Sequence, residues 1–290
     1  MVKNPTLAVV LHWGDAESTK NCLRSLEKNQ SIDILVVNNT GRSLGLGYQE
    51  VVNETNLGFA GGMNIGLRHS IENGYEKTLI LNNDTLVDSN LVSKLSEALD
   101  ANEDMSAVAP TITYLNQPDK IWFSGGSFSK LSGRSPHSRL DEDVAALPKD
   151  AQVEAVSFLT GCCVLFKNEA LVDIGLFDED YFLYWEDDDW CVRSTAKGWT
   201  LGHLPIPLVR HEVSLGTGST SPDYLYYNAR NHFLFAWKNF SRLKRLPILV
   251  FALGLGTAAS LRRLLKGSWR GSKVINSAIY DGLRRKTGKR

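Results

Sequence analysis

Acidic residues almost vanish from the C-terminal part of this 290-residue chain. Residues 238–290 hold 14 Lys and Arg against the single acid Asp281, a net of +13; residues 1–237 hold 18 against 31, a net of −13. A net charge of zero conceals this split. An acidic body joined to a basic tail directs the tail to an anionic partner. Cysteine is scarce too. Cys22, Cys162, Cys163 and Cys191 have the spacing of neither a zinc site nor a disulfide framework, which makes a reducing cytosol the default. Only Leu7 to Leu11 is apolar before His12, too short for a signal peptide and right for a first strand. The longest weakly polar or apolar run, residues 246–261, has 16 residues between Arg245 and Arg262. A spanning helix needs about 20, so an interfacial or re-entrant helix is expected. Repeats and low-complexity tracts are missing. So are the nucleotide fingerprints: Asn56-Leu-Gly-Phe-Ala-Gly61-Gly62-Met-Asn64 lacks both the Lys-Ser/Thr of a P-loop and the glycine spacing of a dinucleotide site.

What is present describes an ordinary globular chain, 43% hydrophobic and 22% charged, long enough for one large core, or one core plus an appendage. Short β-type runs alternate with helical stripes through the first hundred residues. Strands are predicted at residues 7–11, 34–37 and 78–81, and helices at 17–28, 63–71 and 91–99. Repeated βα units imply a mainly parallel sheet with helices on both faces, which binds ligands beyond the strands' carboxyl ends. Asn38-Asn39 and Asn82-Asn83-Asp84 fall at such ends. Residues 124–152, rich in Ser, Gly and charge, read as a long mobile excursion over the site or as a plain surface loop.

The chemistry concentrates in Tyr181-Phe-Leu-Tyr-Trp185-Glu186-Asp187-Asp188-Asp189-Trp-Cys-Val-Arg193. Four consecutive carboxylates repel one another, and aromatic neighbours raise the cost of burying them. An acidic first turn does suit the dipole of a helix at residues 187–197, with an Asp189–Arg193 pair at i,i+4. That explanation leaves the aromatic wall before it unexplained, and an active site accounts for both. Asn82-Asn83-Asp84 has the oxygen ligands for a divalent cation or a ribose, although Asx turns use the same residues. The glycines of 58–62 permit close approach of a ligand to backbone, or of a helix to the sheet. His211, downstream of the acidic cluster, is either a core histidine or a metal ligand.

The order of these motifs resembles one family. Val36-Val37-Asn38-Asn39 comes first, then Asn56-x-Gly58-Phe59-Ala60-x-Gly62-x-Asn64, then Leu81-Asn82-Asn83-Asp84-Thr85, then Thr160-Gly161. Gly175-x-Phe177-Asp178-Glu179 leads into the acidic cluster, and Arg193, His211 and Tyr227-x-x-Arg230-Asn231 follow. The pattern, over roughly residues 7–240, is similar to the family-2 inverting glycosyltransferases of GT-A fold, in the branch with many bacterial rhamnosyltransferases. The resemblance implies a GT-A domain at 1–240 and a basic helical extension at 241–290. It also implies a nucleotide-sugar donor, a glycan or lipid-linked acceptor, and Mg²⁺ or Mn²⁺ as cofactor. By the resemblance Asp187 is the base and Asp84 and His211 the metal ligands. Glu186, Asp189, Trp185 and Arg230 would meet substrate, and Asn38, Asn39, Asn64, Gly62 and Asn82 the nucleotide. Two positions depart from the family's pattern: Asn82 and Asn38 stand where Asp is usual. Those departures keep alive a non-catalytic GT-A-like carbohydrate-binding or assembly subunit; a glycosidase or nucleotidyltransferase using the same carboxylates is the enzyme rival. The expected location is the cytoplasm, peripheral at the inner face of the cell membrane through the basic segment, with no nucleic-acid partner.

Overall fold

The computed structural model describes residues 5–213 and 221–290. Its centre is a ten-stranded sheet with the main order β3-β2-β1-β4-β9-β6-β10-β5. The strands are β1 (Thr6–His12), β2 (Ile32–Asn38), β3 (Gln49–Val52), β4 (Lys77–Asn82), β5 (Thr85–Val87), β6 (Met105–Tyr114), β7 (Gln117–Phe123), β8 (Glu154–Val156), β9 (Cys163–Lys167) and β10 (Thr200–His211). β3, β2, β1 and β4 are parallel throughout, as the βα alternation requires. Past β4 the sheet becomes mixed, because β9 enters antiparallel between β4 and β6.

Helices α1 (Ala16–Leu26), α2 (Gly58–Glu72), α3 (Leu91–Asp100), α4 (Asn168–Ile174) and α5 (Glu186–Ala196) accompany the sheet. Leu7 to Val10 are fully buried, so β1 is central to the core and its polar neighbours are pushed to its tip. α2 begins five residues before the expected start, so the glycines are its first turns. They serve packing. A Cβ on Gly58, whose φ is +77°, would stand 2.1 Å from the Phe182 carbonyl oxygen, and one on Gly62 would meet Leu11 at 2.5 Å. Gly62 therefore lets helix approach sheet, which corrects its expected place among nucleotide contacts.

Residues 124–152 are pinned, contrary to the expected mobility. Gly126 bridges to His137 and Phe158, Lys120 to Asp143, and Arg139 pairs with Glu154 on β8 through both carboxylate oxygens. Backbone and ion-pair partners hold this segment, and they leave no apolar periodicity to be read.

The chain closes with α6 (Pro222–Asn239), α7 (Arg242–Leu265) and α8 (Trp269–Leu283). Leu225, Phe233, Ala252, Ile275 and Ile279 form their shared core. α7 has 24 residues, longer than the expected 16, because good helix formers continue it through Leu243 and Lys244 at one end and Arg262 to Leu265 at the other. By length and composition it is able to cross a membrane. Ile248, Ala252, Gly256 and Ser260 face inward at intervals of four, whereas Leu243, Leu246, Val250, Leu253, Leu261 and Leu265 are exposed.

Candidate active site

Three backbone residues ahead of α5 adopt positive φ without being glycine: Phe182 (65°), Tyr184 (65°) and Trp185 (76°). Each such residue costs on the order of 1–3 kcal/mol and persists only where its surroundings enforce it. Two buried side chains of α6 do so here. Asn231 donates to the carbonyls of Tyr181, Leu183 and Tyr184 at 3.0, 2.9 and 2.8 Å. Arg230 donates to Tyr181 O at 2.8 Å and to Asn231 Oδ1 at 2.7 Å. Its remaining arm reaches the Gly288 carbonyl, while Gly288 N–H donates to Asp180 O at 2.7 Å. Arg230 is fully buried, so it shapes the turn and does not touch substrate. That corrects its expected role.

The turn delivers Glu186, Asp187 and Asp188 to the first turn of α5. Asp187 is half-buried, accepting from Gly161 N–H and from Asp188 N–H, each at 3.0 Å. Burial lifts its carboxyl above the ordinary range. Glu186 and Asp188 rise well above theirs, by burial first and the charge of Asp187 second. One oxygen of each, Glu186 Oε2 and Asp188 Oδ1, is buried without a hydrogen-bond partner. Asp189 behaves differently. It pairs with Arg193 at 2.7 Å and accepts from Tyr181 and Asn239. Saturated and 1% exposed, it is structural, as is Trp185, which stacks on His232 at 4.4 Å between ring centres.

Gly161 and Cys162 join this carboxylate to the polar turn after β4. While Gly161 N–H grips Asp187, Cys162 O accepts from Asn82 N–H at 2.9 Å. Two residues on, Asp84 Oδ1 lies 3.1 Å from His211 Nε2. The pair forms no hydrogen bond through Asp84 Oδ1, and His211 Nδ1 is also buried without a partner. Two ligands about 3 Å apart suit neighbouring positions around a small divalent ion, whose ligand bonds are about 2.0–2.1 Å. The residues fit such an ion, with two protein ligands; no group of three His, Cys, Asp or Glu suited to a metal exists among the described residues. Trp122, from β7, packs against His211 with ring centres 4.6 Å apart and against His137 at 4.9 Å. Nothing in the sequence pattern pointed to Trp122 or His137, because the pairing of β6 with β7 and β10 brings them there.

The expected nucleotide contacts divide. Asn38 is fully buried, donating to Arg42 O at 2.7 Å and Glu50 at 2.8 Å. Asn39 donates to Gly58 O at 2.9 Å, and Asn64 exchanges hydrogen bonds with Phe177. These three amides, saturated by protein, brace the loops and are not free for a ligand. Asn82 is half-buried at the strand end and its side chain has no partner among the described residues. Trp13, at the tip of β1, is 53% exposed.

No protein-family model matches the chain. It is similar to a dTDP-rhamnosyl transferase of Shigella flexneri, 26% identical over 80% of this chain and 77% of that protein. It is 29% identical to an N-acetylglucosaminyl-diphospho-decaprenol L-rhamnosyltransferase of Mycobacterium tuberculosis, over 45% of this chain and 39% of the other. Among solved structures, a mannosyltransferase of Pyrobaculum calidifontis in complex with GDP-Man and Mn²⁺ superposes with a TM-score of 0.57. That match covers 97% of this chain and 87% of the other at 15% identity. The fold is GT-A.

Proposed function

We infer that this chain is a GT-A glycosyltransferase that uses a nucleotide-sugar donor, inverts its anomeric carbon, and extends a glycan or lipid-linked acceptor. The observation that carries this is the grip of Gly161-Cys162, which sets a raised, half-buried carboxylate beside the turn bearing Asp84. Sequence relatives named as rhamnosyltransferases support deoxyhexose transfer.

Asp187 takes the proton of the acceptor hydroxyl. That oxygen bonds to the anomeric carbon as the bond to the diphosphate oxygen breaks on the opposite face. Positioned proton transfer is worth about 10²–10⁴-fold, and the raised carboxyl of Asp187 holds the proton more readily than an ordinary aspartate. Asp84 and His211 would hold Mg²⁺ or Mn²⁺, which supplies positive charge to the departing diphosphate. Trp13 offers an exposed ring to the base, and Asn82 an amide to the ribose or phosphates. A binding-only subunit has no use for so costly a carboxylate cluster, and a glycosidase does not need the Asp84–His211 pair. The test is release of nucleoside diphosphate from a panel of nucleotide-sugars, with and without Mn²⁺. Release with none of them sinks the assignment.

Residues 241–290 further support attachment to a membrane surface from the cytoplasmic side. Arg262, Lys266, Arg270 and Lys273 are exposed around the corner of α7 and α8, beside Leu265 at 80% and Trp269 at 74% exposure. Anionic headgroups attract each such cation by about 1 kcal/mol near the surface. Replacing these four cations by Glu is expected to abolish flotation with anionic liposomes. Unchanged recovery would refute attachment.

A further inference from the structure

Residues 284–290, past α8, carry five cations in seven positions. Such a run is ordinarily solvated and self-repelling, yet each of the five is seated on the protein. Arg284, Arg285, Lys289 and Arg290 lie over the rings of Tyr280, Trp237, Phe182 and Tyr226, at 5.3, 4.2, 5.8 and 4.6 Å from the ring centres. Lys286 pairs with Asp281 at 3.3 Å. The backbone is held as well: Gly288 N–H donates to Asp180 O at 2.7 Å, and Arg290 N–H to Tyr227 Oη at 2.8 Å. Gly288 permits this path by adopting a φ of +73°.

What these residues touch leads to Asp187 by short steps. Phe182, the first strained residue of the turn, meets both Lys289 and the ring of Tyr227, whose centre is 5.1 Å away. Its carbonyl oxygen accepts from Phe59 N–H, in the first turn of α2, at 2.7 Å. The Phe59 ring backs Gly161 so closely that a Cβ there would stand 3.0 Å from it and 3.8 Å from Asp187 Cβ. Gly161 N–H is one of the two donors that hold Asp187. A second connection runs through Arg230, whose fully buried guanidinium is shared between Gly288 O and Tyr181 O. Withdrawing Gly288 leaves a buried charged donor unmet beside the turn. We propose that residues 288–290 are a brace that positions the base: docked on Phe182 and Arg230, they set the turn, the start of α2 and the grip of Gly161 on Asp187. Gly288, Lys289 and Arg290 are thus positioning residues, acting through Phe182 and Arg230. The inference rests on the reading of Asp187 as the base of a glycosyltransferase.

The test is made in the full chain. Gly288→Pro removes the N–H that reaches Asp180 and cannot adopt a positive φ, so the brace undocks. Gly288→Asn keeps the N–H and tolerates the left-handed backbone, and serves as the conservative control. With whichever nucleotide-sugar the wild type turns over, Gly288→Pro should lower kcat about tenfold, and leave nucleoside diphosphate affinity within about twofold. The acid limb of its kcat profile should move to lower pH, because a looser turn admits water to Asp187 and the carboxyl falls toward its ordinary range. Gly288→Asn should restore both. Hydrogen exchange follows the same path without activity: the Phe59 and Gly161 amides should exchange about tenfold faster in Gly288→Pro, and the β1 amides at an unchanged rate. Lys289→Ala combined with Arg290→Ala leaves the Gly288 bonds and should move kcat and exchange in the same direction by less. A wild-type kcat or unaltered exchange in Gly288→Pro, an equal loss in Gly288→Asn, or a loss confined to donor affinity would overturn the brace. Should Gly288→Pro not fold, unchanged kcat and exchange in the double variant overturn it instead. If the wild type turns over no nucleotide-sugar, the glycosyltransferase reading fails, and exchange alone decides the brace.

Discussion

Two charged clusters in this molecule, one half-buried and one largely buried, are built on opposite plans. At Arg139–Glu154–His203 both carboxylate oxygens and both ring nitrogens are paired. Arg139 clasps Glu154 at 2.8 and 2.9 Å, Glu154 Oε2 lies 3.0 Å from His203 Nδ1, and Thr111 meets the other ring nitrogen at 3.0 Å. The Arg139 contact holds the Glu154 carboxyl down to about 2, and burial pushes His203 down to about 4. At Glu186–Asp188 the carboxyls are pushed up, and two oxygens are left without partners. The first cluster stabilises the join between the excursion and the sheet. The second opposes stability where chemistry is placed, the trade expected of an active site.

The strongest way to break this contrast is Asp187→Asn. The amide is nearly isosteric but takes no proton, so turnover should fall by about 10²–10⁴-fold with donor affinity kept. Single-turnover kinetics beside a nucleotide-binding titration separate the two, and a variant of near-normal turnover removes Asp187 from the role of base.

Asn231→Ala comes next. It deletes three hydrogen bonds to a strained turn, for a loss of about 2–4 kcal/mol in urea unfolding. Turnover should fall with it, because the turn that places Asp187 relaxes. Unaltered stability would show that the turn holds itself.

His211→Ala should weaken Mn²⁺-dependent donor binding by about tenfold, roughly 1.4 kcal/mol. A double-mutant cycle with Asp84→Ala should give less than the sum, since both report on one ion. Full activity in excess chelator would refute the ion altogether.

The finest test sets the two clusters against pH. His203 binds its proton less readily folded than unfolded, so its share of stability is complete above 6.5 and is lost as pH falls toward about 4. Glu186 has the opposite sign: its raised carboxyl lets the native state bind the extra proton, so acidification relieves it. Glu186→Gln should therefore gain about 1 kcal/mol at neutral pH, with the gain shrinking on acidification. His203→Asn should flatten the loss between pH 6.5 and 4. Thermal unfolding across that window reads both, and parallel slopes for the two variants would erase the distinction.

How much of this was legible beforehand follows from the range of each signal. β1, β2 and β4 are legible as short continuous apolar runs, α1 and α3 from their apolar periodicity, and α5 from its acidic first turn. The acidic cluster and the Asp84–His211 pair were readable as residue types that need a reason to be where they are. The roles of Arg230, Trp185, Asp189, Asn38, Asn39, Asn64 and Gly62 were not. A buried amide bracing a loop and an amide facing a nucleotide look alike in sequence, and only the partners separate them. Asn231 holding three carbonyls is a fact about a turn some 50 residues away. α7 outruns its apolar stretch because the cations at its edges, Arg245 and Arg262 among them, prolong helices well.

The reach of Gly288 back to Asp180 and Arg230 bears on the order in which the molecule comes into being. Chains fold as they emerge from the ribosome, early segments first, and the sheet can assemble while α8 is still being made. The turn ahead of Asp187 cannot be fully secured until position 288 has been synthesised and has docked. A nascent chain thus carries its strands and its polar turn before the turn that places Asp187, the proposed base, is secured. Activity through Asp187 therefore awaits the chain through position 288, after α6, α7 and α8 have been made.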